Sequence, residues 1–181
     1  MIVMRMNTGD TELALAAAGG DAKAFSLLLE RSYDRLFGLC FRLTGSRFEA
    51  EDLCQDICAA LPAKLMRFEG GSSFSTWLYR VAVNASHDRR RRAATRSKAA
   101  QGWGDWEVNR TEANKEQAEA QNWLMQAIGS LPDDLRDTVA LVMDDMNHRD
   151  VGEVLGVSEG TISWRMSEVK KRLKEIKERE Q

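Results

Sequence analysis

Residues 147–176 have the sequence NHRDVGEVLGVSEGTISWRMSEVKKRLKEI, and this stretch decides the fold of the C-terminal part of the chain. Val151, Val154 and Leu155 follow the i, i+3, i+4 spacing of a short amphipathic helix. Gly156 then allows a tight turn, because a residue without Cβ adopts such conformations at little cost. Ser158 is a suitable N-cap for a second helix. The apolar face of that helix would be formed by Ile162, Met166, Val169, Leu173 and Ile176. The pattern predicts a helix-turn-helix.

The side chains of the second helix that lie off this apolar stripe are expected to point outward. A helix-turn-helix places that outer face in the major groove of DNA. The outward residues are Thr161, Trp164, Arg165, Glu168, Lys171 and Arg172. An ordinary helical hairpin with a solvated charged face is the alternative interpretation, and of the two the pattern favours DNA binding.

The composition predicts an almost entirely helical protein. The chain has 181 residues, of which 43% are hydrophobic, so it can bury a core, and its length also permits two small domains. It has only two prolines and few β-branched alternations, which argues against a sheet. The first residues, MIVMRMNTGD, are too short and interrupted for a signal peptide, and no segment approaches the roughly 20 apolar residues of a membrane span. We therefore expect a soluble, cytoplasmic protein without membrane insertion.

The net charge of −2 conceals a strong segregation of charge along the chain. Residues 89–98, RRRRAATRSK, are basic and contain no acid, whereas Glu49, Glu51, Asp52 and Asp56 crowd another segment. Such segregation suggests a polyanion as the partner of one surface and a basic or polar partner for the other. A solubilising helix end is the alternative interpretation of the arginine run, and the absence of interspersed acids weighs against it.

Neither a metal site nor an enzyme active site is indicated. Cys40, Cys54 and Cys58 are an odd number of cysteines, which argues against a disulfide framework. Cys54 and Cys58, with His87, could in principle bind a metal, but their spacing is not C-x-x-C and their apolar positions favour small buried side chains. The clustered carboxylates, including Asp52, have no nearby histidine, and no phosphate-binding Gly-Lys motif occurs, so we expect no cofactor and no catalysis.

Periodicity predicts three helices in the N-terminal half. The first spans 21–43, with Gly45 just beyond its end. The second begins near Phe48, and Pro62 is expected to kink or end it. The loop 67–75 follows. The third helix spans 76–92, with Trp77, Leu78, Val81, Ala82 and Ala85 inward and Arg80, Asn84, His87 and Arg91 outward.

From 93 to about 109 the periodicity vanishes, which predicts a linker in which Trp103 and Trp106 make contacts. Asn109 and Glu112 resemble a capping box that opens a further helix, which Leu131-Pro132 would end.

Three segments in this order resemble the two domains of bacterial sigma factors: FEAEDLCQDI (48–57), FEGGSSFSTWLYRVAVNASHDRRRR (68–92) and LPDDLRDTVALVMDDMNHRDVGEVLGVSEGTISWR (131–165). The layout resembles the extracytoplasmic-function (ECF) group of the sigma-70 family, which keeps only domains two and four. The resemblance covers about 24–174. It implies an all-α fold with domain two over 10–95, a linker over 96–111, and domain four over 112–178.

The resemblance implies a non-catalytic subunit that binds core RNA polymerase, recognises promoter DNA and opens it. Asp52, Gln55 and Ile57 would dock on the clamp helices of the largest polymerase subunit, and the flap region would be a further contact. An anti-sigma factor is the implied regulatory partner. The alternative function is a helix-turn-helix regulator with an N-terminal sensing or dimerisation domain, which would bind duplex DNA without polymerase.

Two sets of residues would contact the promoter by this resemblance. Those for the −10 element are Phe68, Gly70, Gly71, Ser72, Ser73, Arg80, Asn84, His87, Arg89 and Arg91. Those for the −35 element are Thr161, Ser163, Trp164, Arg165, Ser167, Glu168 and Lys171. The residue types suit these roles. A Gly-Gly-Ser-Ser loop lets its backbone approach a flipped base closely, and the arginines would neutralise phosphates.

Four positions leave alternatives open. Pro62 stands where the family usually continues a helix, so the docking helix could bend there. Trp164 stands where many members of this family carry a small polar residue, and Glu168 stands where many carry an arginine. Glu168 could accept from a cytosine amino group or pair with Lys171 or Arg172. Trp77 could stack on a base, but its register favours core packing.

Overall fold

A computed structural model describes residues 8–96 and 115–179 of the chain. These residues are all-helical, as predicted, and none of their helices is long and apolar enough to cross a membrane. Residues 93–96, where the loss of periodicity predicts the start of a linker, are helical. The rest of the predicted linker lies outside the described residues, as do Trp103, Trp106 and the capping box at Asn109. In chain order the helices are α1 (Thr8–Ala18), α2 (Ala22–Thr44), α3 (Arg47–Leu65), α4 (Phe74–Arg96), α5 (Lys115–Gly129), α6 (Asp133–Val142), α7 (His148–Leu155) and α8 (Glu159–Arg179).

The ends of α2 are set by the residues that flank it. The Asp21 side chain accepts hydrogen bonds from the backbone N–H groups of Lys23 and Ala24 at 2.9 and 3.0 Å. At the other end Gly45 adopts a left-handed φ of 73°, and its N–H donates to the Phe41 carbonyl. Both caps satisfy backbone groups that a helix end leaves unpaired. The helix predicted over 21–43 is confirmed.

Pro62 lies inside α3 and does not end it, so the helix continues for a further turn to Leu65. Pro62 itself is exposed, whereas Leu61 and Leu65 on either side are buried. Burial of these two leucines offsets the backbone hydrogen bond that proline cannot donate. Of the two outcomes expected at this proline, a kink or an end of the helix, the end does not occur.

The N-terminal domain packs α1–α4 around one apolar core. Leu36, Leu53 and Leu78 are essentially inaccessible to solvent. The inward face of α4 differs from the predicted one, because Tyr79 and Val83 are buried while Val81 is only half-buried. Helix α1 gave no periodic signal, since its apolar residues run consecutively from Leu13 to Ala18.

The C-terminal domain contains the predicted helix-turn-helix, formed by α7 and α8. Gly156 has a left-handed φ of 69° at the end of α7. Ser158 caps α8, since its Oγ accepts from the N–H of Thr161 at 3.1 Å. Gly152 lets the turn after α7 pack closely against that helix, because a Cβ at this position would lie 2.6 Å from the Val157 carbonyl oxygen. Ile162 and Val169 are buried beneath the motif.

The two domains pack against each other in this structure. Helix α4 contacts α7, and α2 contacts α6. One cluster of buried apolar side chains contains Leu36 and Tyr79 from the N-terminal domain and Leu141 and Val151 from the C-terminal domain. The described parts of both domains therefore share a core.

Candidate nucleic-acid interfaces and docking face

The outer face of α8 is open to solvent. Trp164 is 62% exposed, and Ser163, Ser167 and Lys171 are also exposed. Thr161 is half-buried at the start of the helix. A large aromatic ring beside hydroxyl and ammonium donors can make apolar, base-edge and phosphate contacts in a groove.

Arg165 and Glu168 are engaged within the protein. The Arg165 side chain is 17% exposed and turns toward α6, with its Nε 3.6 Å from a carboxylate oxygen of Asp134. The expectation that Arg165 points outward is wrong, because it follows Ile162 by three residues and so lies at the edge of the apolar stripe. Arg172 donates from its Nε to Glu168 at 2.9 Å, so the surface-pair alternative for Glu168 is the one observed.

The outer face of α4 meets the C-terminal domain. Asn84 is exposed, but Arg80 donates to the backbone carbonyl of Glu153 at 3.0 Å. His87 Nε2 lies 2.6 Å from a carboxylate oxygen of Asp137. The face predicted to bind the −10 element is therefore partly occupied by contacts within the chain.

Arg89 faces a different way from Arg80. Its guanidinium contacts the acidic face of α3, at 2.8 Å from Glu49, 3.1 Å from Asp52 and 3.4 Å from Asp56. Burial disfavours the charged guanidinium, but the hydrogen bonds and charges of Glu49 and Asp52 outweigh burial and raise the pKa of Arg89. Arg89 therefore fastens α4 to α3 in this structure.

Arg91, by contrast, is exposed and pairs with the neighbouring carboxylate of Asp88. This contact lies within one turn of α4, and it leaves the Arg91 side chain 78% exposed. A surface pair of this kind contributes little stability, so a phosphate can displace it.

The loop before α4 is held from inside by aromatic side chains. Phe68 is only 5% exposed, with its ring centroid 5.3 Å from that of Trp77 and 6.2 Å from that of Phe74. Because Phe68 is buried, it packs inside the domain and does not reach a DNA strand in this structure. Its contact with Trp77 likewise supports core packing for Trp77. Gly70 has a left-handed φ of 74°, and Ser73 caps α4 by accepting from the Thr76 N–H at 3.2 Å.

Within the same loop, Gly71 is exposed, as is Ser73, whereas Ser72 is half-buried. A Cβ added at Gly71 would meet nothing within 4 Å. The surface of this turn is therefore small, polar and accessible, which suits close approach of another backbone or a base.

The predicted docking residues of α3 divide into two groups. Gln55 is exposed and Asp52 is half-buried, so both reach the surface. Ile57 is only 2% exposed and belongs to the core. Phe48, at the start of the same helix, is 67% exposed and adds an apolar contact surface that the periodicity did not indicate as functional.

Two carboxylates between the domains carry contacts that sequence reasoning missed. Asp137, 2% exposed, also binds Arg90 at 2.8 Å. Asp144 binds Arg35 and Arg42 at 3.1 and 2.9 Å. No local sequence signal identifies such partners, because they come together only when α6 packs on α2 and α4.

Asp144 also accepts a hydrogen bond from the Tyr79 hydroxyl. Burial and the Asp144 charge raise the pKa of Tyr79, so that hydroxyl stays protonated and remains a donor.

The cysteines are free thiols in the N-terminal domain. Cys40 and Cys54 are buried, and Cys58 is half-buried. Contact with the Cys40 thiol, together with burial, raises the pKa of Cys54 to about 11. In the described ranges no group of three or more His, Cys, Asp or Glu side chains is placed to hold a metal ion.

Comparisons with known proteins match both domains. Residues 28–96 match the family described as Sigma-70 region 2, and residues 121–173 match Sigma-70, region 4. The chain is 31% identical over 164 residues to the ECF RNA polymerase sigma factor SigW of Bacillus subtilis (strain 168), covering 81% of this chain and 85% of SigW. It is 30% identical over 170 residues to the ECF RNA polymerase sigma factor SigM of Mycobacterium tuberculosis (strain ATCC 25618 / H37Rv), covering 93% and 85% of the two chains.

Two solved structures share the fold. The sigma factor RpoE in complex with the anti-sigma factor NepR from Bartonella quintana gives a TM-score of 0.73 at 25% identity, covering 87% of this chain and 98% of that one. CnrH in complex with the cytosolic domain of CnrY gives a TM-score of 0.71 at 22% identity, covering 95% and 99%. The latter likeness concerns the fold alone.

Proposed function

Since this chain belongs to the extracytoplasmic-function group of the sigma-70 family of RNA polymerase sigma factors, we propose which of its surfaces performs each step of transcription initiation. The family consists of non-enzymatic initiation factors, and the match of residues 28–96 to region 2 favours this function over a regulator with a sensing domain. We assign domain two to 10–95 and domain four to 112–178, with 96–111 as the linker.

Core polymerase docks on the polar face of α3. Asp52 and Gln55 are the contact residues, because they reach the surface while Ile57 supports the helix from the core. Exposed Phe48 extends this face with an apolar contact. The partner surface is the clamp helices of the largest polymerase subunit, and a second contact is made between domain four and the flap region.

The −10 element is bound by α4 and the loop before it. Gly70, Gly71, Ser72 and Ser73 give a small polar surface to an unstacked base. Arg80, Asn84, His87 and Arg91 line the outer face of α4, where the two arginines neutralise phosphates and the other two contact bases. Phe68 and Arg89 act indirectly, since the first packs the loop and the second fastens α4 to α3.

The −35 element is read by α8 in the major groove. Trp164, Ser163, Ser167 and Lys171 form the exposed reading face. Thr161 lies at the N-terminal end of the helix, where base contacts concentrate in this motif. Glu168 and Arg165 lie at the edges of this face. Glu168 pairs with Arg172, and Arg165 pairs with Asp134 on α6.

An anti-sigma factor controls the protein, which works in the cytoplasm. This proposal is supported by the likeness to RpoE, whose structure was solved with the anti-sigma factor NepR. Sequestration would act by covering the docking face of α3, the −10 face of α4, or both.

The observation that carries the proposal is the order of three surfaces along one chain: an acidic docking face, a basic helix and an exposed reading helix. The test is capture of core polymerase by the tagged full chain, compared with the variant Asp52→Arg/Gln55→Ala. Charge reversal at an interface pair commonly costs about 2–5 kcal/mol, so the variant should lose at least about 30-fold in affinity.

The matched control is Glu175→Arg, which reverses an exposed charge at the far end of α8. It should bind core polymerase like the wild type. If the wild type is not captured, the sigma function fails. If the α3 variant is captured as well as the control, the docking face has been misplaced.

A further inference from the structure

We propose that domain four holds the −10 face closed in the resting protein through two carboxylates, Asp137 and Asp144, which pair with cations of domain two in place of DNA phosphates. The proposal rests on the assignment of α4 to −10 binding. We call these two aspartates and their four partners in domain two the carboxylate latch; the partners are His87, Arg90, Arg35 and Arg42.

The first half of the latch joins α6 to the C-terminal part of α4. The Asp137 side chain is 3% exposed and contacts His87 at 2.6 Å and Arg90 at 2.8 Å. A carboxylate taken this far out of water needs charged or hydrogen-bonding partners, and here α4 supplies them. Arg90 belongs to the arginine run that would otherwise meet phosphates.

The second half joins the end of α6 to α2. Asp144 accepts from Arg35 at 3.1 Å and from Arg42 at 2.9 Å. Arg42 also donates to the carbonyl oxygen of Ala140 at 2.9 Å. The Tyr79 hydroxyl adds a donor from α4. Charge-assisted bonds from several elements to one carboxylate fix the orientation of the two domains as well as their contact.

Closure of the latch covers the part of the −10 face at Arg80 and His87 and leaves the −35 face exposed. The cavity between α4 and domain four has a volume of about 740 Å³ and is lined by Asn84 and His87 on one side and Asp137 on the other. Asp133 and Asp134 line the same wall as Asp137, so a phosphate strand entering this cleft would meet carboxylates as well as the arginines of α4. Trp164 and Lys171 on α8 remain outside the cavity and exposed.

The latch therefore selects between the two kinds of DNA. A closed protein can meet duplex DNA through α8, whereas single-stranded DNA requires separation of the domains. Apparent affinity falls with the fraction of competent molecules, so a population that is about nine-tenths closed binds single strands about tenfold more weakly than an open one.

The test compares the full-length wild type with Asp137→Asn/Asp144→Asn. Asparagine keeps the side-chain volume and some hydrogen bonds but removes the charges. Small-angle X-ray scattering should give the wild type a radius of gyration near that of a compact chain of this length, about 16 Å, and the variant a larger value.

Binding of a 15-nucleotide single-stranded DNA of mixed sequence is the second readout. The variant should bind about tenfold more tightly. Release of Arg80 and Arg90 should steepen the salt dependence of log K by about 1.4, at about 0.7 per phosphate contacted. Binding of a mixed-sequence 20-base-pair duplex should change much less, because α8 is exposed in both states.

Asp145→Asn is the control beside Asp144, since Asp145 is exposed and has a left-handed φ of 59°, which asparagine tolerates. It should behave like the wild type. Arg35→Gln/Arg42→Gln breaks the latch from the other side and should also open the protein, which guards against a folding defect specific to the aspartate variant.

Three results would overturn the latch: an unchanged radius of gyration in both opening variants, unchanged single-strand affinity, or an effect of Asp145→Asn equal to that of Asp137→Asn/Asp144→Asn. Each of these leaves the sigma function intact if the wild type still directs transcription with core polymerase. Failure of the wild type in that assay would instead refute the proposed function.

Discussion

Substitution of one glycine in the helix-turn-helix should damage the promoter-reading part of the protein in a defined way. In Gly152→Ala the new Cβ would lie 2.6 Å from the backbone carbonyl oxygen of Val157. A backbone atom cannot rotate away as a side chain can, so the turn between α7 and α8 must shift. Overpacking of this kind costs typically about 1–3 kcal/mol. We expect the free energy of unfolding of the full chain to fall by that amount.

Gly160→Ala is the matched control in the same motif. Its Cβ would meet only the Ser158 side-chain oxygen, at 3.8 Å, which is ordinary contact. Alanine is favoured over glycine in a helix by about 1 kcal/mol, so this variant should be as stable as the wild type or more stable. Urea unfolding followed by circular dichroism measures both. Equal stability of Gly152→Ala and Gly160→Ala would refute the close approach of the turn to α7.

Three further outcomes are expected. Asn84→Ala should impair open-complex formation on duplex promoter, and this defect should disappear on a template already mismatched at −10. Lys171→Ala should be defective on both templates. An equal defect of Asn84→Ala on both templates would refute a role in strand opening. The Cys54 thiol, with its pKa raised to about 11, should react with a disulfide reagent at pH 8 about two orders of magnitude more slowly than a free cysteine and accelerate as the pH approaches 11; reaction at the rate of a free cysteine would contradict its burial. Phe68→Ala should lower the free energy of unfolding by about 3–5 kcal/mol in the same urea assay, because it empties a buried aromatic site, while Gly71→Ala should change it little; a Phe68→Ala variant as stable as the wild type would show that the ring does not support the loop.

Local patterns predicted most of the helices and the helix-turn-helix. The cap at Ser158 and the left-handed glycines Gly45 and Gly156 depend on a few neighbouring residues, so they are visible in sequence. Helix α1 escaped notice because its apolar residues are consecutive. The sequence left a kink or an end open at Pro62, and the burial of Leu61 and Leu65 on both sides of it favours continuation of the helix.

The candidate site was predictable in location and less so in detail. The positions of Trp164 and Lys171 follow from the apolar stripe of α8, and both are exposed. Arg165 lies at the edge of that stripe, and its orientation is decided by Asp134 on another helix. Likewise Arg89 belongs to a basic run, but the carboxylates of α3 determine which way it faces.

The contacts between the domains were beyond the reach of sequence patterns. Asp137 and Asp144 are ordinary acidic residues in a polar stretch until α6 packs against α2 and α4. Their burial reverses the usual expectation for aspartate, and the arginines around them explain why that burial is tolerated. Which cations meet DNA therefore depends on whether the domains are together or apart.

Run-off transcription with reconstituted polymerase tests the central claim most directly. Core polymerase with the full chain should start transcription at a fixed distance from two short elements in a library of promoter fragments, and core polymerase alone should not. Substitution of Lys171 or Trp164 should weaken selection at the upstream element, whereas substitution of Asn84 should weaken use of the downstream one. Transcription that starts without the chain, or that is insensitive to changes in both α4 and α8, would contradict the account.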